Sequence, residues 1–140
     1  MALLPYVHPA WQIAALVLAL WALRQGLRMR TLRLRKLHDR RLPLVDPHAL
    51  TGLAFAGALA LGYVAGPTIL GGVRGEPVFR SPHAFFATLA MLLVGAGAAL
   101  GWGLWRGRAR RTDRALHAYC MGLALFVSLI AATLGLGLLP

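Results

Sequence analysis

Charged residues fall into blocks along this chain, and between the blocks it is apolar for long stretches. The uncharged runs are Met1 to Leu23, Pro47 to Val73, Ser81 to Trp105 and Ala115 to Pro140. Each is long enough to cross a hydrocarbon core of about 30 Å as a helix. The pattern predicts an all-α integral membrane protein with transmembrane spans at about 5–27, 47–69, 82–105 and 113–138, forming one four-helix domain over the whole chain.

Helix-start signals agree with that division. Ser81-Pro82-His83-Ala84-Phe85 opens the third run and has a near copy at Asp46-Pro47-His48-Ala49-Leu50, 35 residues earlier. In each copy a Ser or Asp can cap the helix, and a Pro follows where a missing N–H costs nothing. Thr112 or Asp113 is the expected cap of the fourth helix. Gly66-Pro67 marks the expected end of the second, followed by a short Gly/Pro-rich loop to Arg80. No basic residue precedes the first run and no small-x-small site follows it, so it is expected to be a retained helix, not a signal peptide.

Composition supports the membrane assignment, with 59% hydrophobic residues and 14% charged, too apolar for a soluble domain of this length. The net charge of +11 would suit nucleic acid, but its distribution argues against that partner. Eight basic residues lie between Arg24 and Arg41 and five between Arg106 and Arg114, against only Arg74 and Arg80 in the remaining connection. The positive-inside rule then puts the two basic connections in the cytoplasm and both termini on the outer, periplasmic side of a bacterial inner membrane, in an up-down bundle. Between Arg28 and Leu44, leucines alternate with arginines, as expected of a basic amphipathic segment on the inner surface in contact with anionic lipid. His38 within it is expected to be solvated. Cys120 is the only cysteine, so there is no internal disulfide, and without C-x-x-C-H there is no covalent haem attachment.

The remaining histidines change the picture. His8, His48, His83 and His117 each lie near the start of one apolar run. The topology sorts them into an outer pair, His8 and His83, and an inner pair, His48 and His117. Helices one and three are diagonal in an up-down bundle, and so are two and four. A diagonal pair of imidazoles can fill both axial positions of a haem iron, which favours electron transfer because no site is left for substrate. Two b-type haems are therefore expected. Small residues on the second and third helices, among them Gly52, Gly57, Gly62, Gly95, Gly97, Gly101 and Gly103, would make room for flat cofactors or for another helix. Arg41, Arg74, Arg80 and Arg114 stand where they could pair with propionates. Met121 and Cys120 are assigned to core packing. A zinc site would need three or four convergent ligands, and the spans lack the acidic residues of many ion pathways. A single histidine at a span end is most often just a polar residue there. The alternative is therefore a non-catalytic or monohaem subunit that anchors a larger redox complex.

One histidine per helix, spaced 40, 35 and 34 residues apart, resembles the core of the cytochrome b561 superfamily. Val7-His-Pro-Ala-Trp-Gln12, the two Pro-His-Ala copies and Arg114-Ala-Leu-His-Ala-Tyr119 look most like a bacterial group of small membrane proteins near it, the DUF4079 family. The resemblance implies a transmembrane electron carrier whose haem ligands match His8, His48, His83 and His117. It also implies a donor such as ascorbate or a quinol, and a ferric chelate or protein as acceptor. The chain lacks the extra flanking helices of longer members, which fits a place in a larger membrane complex.

Overall fold

The structure, a computed structural model, describes residues 4–75, 79–108, 110 and 112–137. Its helices are α1 (Leu4–Leu34), α2 (His38–Arg41), α3 (Val45–Arg74), α4 (Pro82–Trp105) and α5 (Asp113–Leu136), with a 3-10 turn at Leu42–Leu44 leading into α3. No strand occurs among the described residues. Helices α1, α3, α4 and α5 are long and apolar enough to cross a membrane. Large apolar side chains such as Ile13, Val17, Leu61, Val64, Leu92 and Phe126 point outward. A surface of that kind suits lipid.

Around the bundle α1 packs on α3, α3 on α4, α4 on α5, and α5 back on α1, which leaves α1 diagonal to α4 and α3 diagonal to α5. The closest packing lies within two antiparallel hairpins, α1–α3 and α4–α5. Their core follows one register. On each long helix, counting from its histidine, the residues seven, eleven and fourteen positions on are buried: Ala15, Ala19 and Ala22; Phe55, Leu59 and Gly62; Ala90, Val94 and Gly97; Ala124, Ser128 and Ala131. At about 100° per residue these offsets stay within roughly 40° of the histidine's own direction. One stripe per helix therefore carries both the histidine and the core. Phe55, 1 % exposed, and Val94, 1 % exposed, fill the middle, between small residues on the facing helices.

The helix ends depart from expectation in three places. First, α1 continues to Leu34, so Arg28 to Leu34 extend the first helix instead of lying along the surface as a separate amphipathic segment. The sequence after Gly26 is Leu, Arg, Met and Thr with no Pro, and such residues propagate a helix. It stops only where Lys36 takes a left-handed conformation (φ 57), with Leu37 N–H on the Leu32 carbonyl at 2.9 Å and Lys36 N–H on Arg33 at 3.0 Å. That pair of bonds is a Schellman stop made without glycine.

Second, α3 does not end at Gly66-Pro67 but runs through Pro67 to Arg74, with the Thr68 hydroxyl donating to the Val64 and Ala65 carbonyls beside it. A hydroxyl supplying local bonds is how a membrane helix tolerates proline. Third, of the expected caps only Ser81 acts as one, its Oγ accepting from Ala84 N–H at 3.2 Å. Asp46 lies inside the first turn of α3 and accepts instead from Trp105 Nε1 at 2.8 Å, tying α3 to the end of α4. Thr112 makes no side-chain cap, and Asp113 reaches back to Arg110 N–H at 2.7 Å.

Candidate functional site: two histidine pairs

The fold brings the four histidines together in the pairs read from the sequence. The imidazoles of His8 (α1) and His83 (α4) have ring centres 6.3 Å apart at one end of the bundle. Those of His48 (α3) and His117 (α5) have ring centres 6.1 Å apart at the other. In both pairs the planes are nearly perpendicular, at 84° and 86°. All four side chains are half-buried.

Each ring is fixed by the neighbouring helix of its own hairpin. The Nδ1 atoms of His48, His83 and His117 lie 3.1, 2.8 and 2.8 Å from the carbonyls of Ala22, Ala131 and Gly97. A carbonyl can only accept, so each Nδ1 carries the proton and each Nε2 keeps its lone pair. His8 lies by the backbone of Gly62, and its buried Nδ1 makes no hydrogen bond.

A glycine lies against every ring. Gly26 faces His48, Gly66 faces His8, Gly101 faces His117 and Gly135 faces His83. In each case the carbonyl that the ring approaches belongs to the residue four before that glycine: Ala22, Gly62, Gly97 and Ala131. Each of these glycines also follows the histidine of its own helix by eighteen residues. Eighteen residues are five turns, so histidine and glycine share one face about 27 Å apart. The result is a fourfold repeat, His-x13-[Ala/Gly]-x3-Gly, in which each end of the bundle has two histidines on one diagonal and two glycines on the other. These glycines were not identified as a set from the sequence. The signal lies in the eighteen-residue register from each histidine, which the abundance of glycine along each helix does not single out.

The geometry fits a metal held between two imidazoles. A first-row ion binds imidazole nitrogen at about 2.0–2.1 Å, which with the radius of the ring separates two opposed ring centres by about 6.3 Å. Each pair offers two nitrogen donors and nothing more. Among the described residues no group of three or more His, Cys, Asp or Glu side chains converges on a point. Such a pair cannot complete a tetrahedral site on its own, and any metal it held would take its other donors from elsewhere.

The surrounding polar groups are less specific. Arg80 and Arg114 are exposed. Arg41 is half-buried and donates from a terminal guanidinium nitrogen to His38 Nδ1 at 3.2 Å, while its Nε has no partner. The Arg74 side chain lies outside the described residues. His38 is exposed, as expected, but it opens the short helix α2 instead of lying in a loop. Met121 packs against the core, and Cys120 lies beside Gly97.

No family model matches this chain, and neither does any curated protein or solved structure.

Proposed function

We propose that this chain is a membrane b-type cytochrome that holds two haems, one near each membrane face, and passes electrons between them. The observation that carries the reading is the pair of ring separations, 6.3 and 6.1 Å, on the two diagonals of the bundle. Bound haem would supply an iron that changes oxidation state by one electron with both axial positions filled. His8 and His83 would be the ligands at one end, and His48 and His117 at the other. The protonated Nδ1 atoms of His48, His83 and His117 hold those rings in one tautomer and raise the basicity of Nε2. The lipid-facing surface and the basic connections support a multi-pass protein of a bacterial inner membrane, with the basic end in the cytoplasm and both termini outside.

A monohaem version is favoured by one observation, the unpartnered Nδ1 of His8. Single replacements separate the two. His83→Ala and His117→Ala should each remove about half of the bound haem if both sites are loaded. Under the monohaem version His83→Ala changes nothing and His117→Ala removes all of it. Full haem retention in both variants would rule out His83 and His117 as ligands, and wild-type protein without haem would leave the chain as a structural subunit without cofactor.

A further inference from the structure

We infer that Gly26, Gly66, Gly101 and Gly135 are positioning residues, each setting the orientation of one imidazole at one end of the bundle only. The inference rests on the dihaem reading. In a helix the carbonyl of residue i−4 already accepts from the N–H of residue i, and a Cβ on residue i leans over the carbonyl's free side. With glycine there, the carbonyl is open to a ring from the next helix. His48, His83 and His117 bond a carbonyl through such an opening, and His8 lies against the fourth without a bond. Trp11 uses another, donating from Nε1 to the Ala58 carbonyl at 2.7 Å, four residues before Gly62.

A methyl group at these glycines would meet the ring edge between the two nitrogens. The nearest ring atom would be 3.2 Å away at Gly26 (His48 Cε1), 3.1 Å at Gly66 (His8 Cε1), 3.0 Å at Gly101 (His117 Cε1) and 2.9 Å at Gly135 (His83 Nδ1). The ring must then tilt away, which at His48, His83 and His117 lengthens the Nδ1–H bond to the carbonyl. A weaker Nδ1 bond makes Nε2 a poorer electron donor, so the ferric state is less well stabilised and the midpoint potential rises. Because Gly26 and Gly101 touch only the His48–His117 pair, and Gly66 and Gly135 only the His8–His83 pair, the two sites are set independently.

The same helices supply internal controls. Gly57 and Gly95 have nothing within 4 Å of an added Cβ, so Ala there brings the same gain in helix propensity without the ring contact.

The test is a potentiometric titration of detergent-purified holoprotein followed optically and by EPR. It compares wild type with Gly101→Ala, Gly135→Ala and Gly57→Ala. Gly101→Ala should raise the potential and change the largest g value of one haem component, Gly135→Ala should do so for the other, and Gly57→Ala should move neither. If a variant fails to fold, Gly26→Ala and Gly66→Ala test the same two sites with slightly more room. The inference is overturned if both ring-contact variants move the same component, move both components together, or leave both at wild-type values. Wild-type protein that carries no haem would overturn the dihaem reading itself, a different result from two haems insensitive to these glycines.

Discussion

The Nδ1 of His83 lies 2.8 Å from the Ala131 carbonyl, and only a protonated Nδ1 makes that approach attractive. The residue type alone did not reveal this. A histidine at a span end satisfies the sequence pattern whether its ring faces lipid, water or another ring. The backbone contact turns it inward and leaves Nε2 free. The near-perpendicular planes, 84° and 86°, carry a spectroscopic consequence. With haem bound as proposed, crossed axial imidazoles would leave two iron d orbitals nearly degenerate, so oxidised holoprotein should give strongly anisotropic low-spin EPR signals. A rhombic signal of the kind coplanar rings produce would contradict the observed ring planes. At the same scale, Ser128 is 6 % exposed and its hydroxyl has no partner. Ser128→Ala removes an unsatisfied group from the core and should be neutral or stabilising by about 1 kcal/mol in detergent unfolding.

The long helices were legible because uncharged runs bounded by arginine blocks are a strong signal, and Ser81 with Pro82 marked one start correctly. The ends of α1 and α3 were not. A block of arginines looks like a loop when charge is the only guide, yet Arg28, Arg30 and Arg33 are good helix formers and α1 carries them to Leu34. Pro67 looks like a stop, yet Thr68 supplies local bonds and α3 continues. The stripe linking each histidine to its glycine explains why the hairpins close so tightly, since small residues four apart let two helices approach. Phe55 is the largest side chain fully buried in that stripe. Phe55→Ala should cost about 3–5 kcal/mol, because facing alanines such as Ala15 and Ala124 cannot fill the space. Ser81→Ala should cost about 1 kcal/mol through loss of the cap on Ala84 N–H. Both are read as shifts in the unfolding midpoint, and the order of the two values tests which contact matters more.

Over the whole molecule the chain is two antiparallel hairpins facing each other, with one histidine pair bridging them at each end. Thirteen of its fifteen basic residues fall in the sequence segments 24–41 and 106–114, which adjoin the helix ends near His48 and His117. That asymmetry predicts orientation. With Cys120 replaced by Ala, Arg80→Cys should react with an impermeant thiol reagent on intact inner-membrane spheroplasts, and Arg35→Cys only after permeabilisation. The reverse pattern would invert the assignment of the two ends to the membrane faces.

The central claim is that each end holds one haem between its two imidazoles. It is tested most directly by quantifying haem in wild-type protein purified from cells with ample haem supply, with spectra recorded before and after dithionite reduction. The account predicts about two non-covalent b-type haems per chain and a sharp reduced α band that carbon monoxide leaves unchanged, because both axial positions are filled by nitrogen. Protein that folds as four helices with no haem, or whose haem binds carbon monoxide readily, would contradict it.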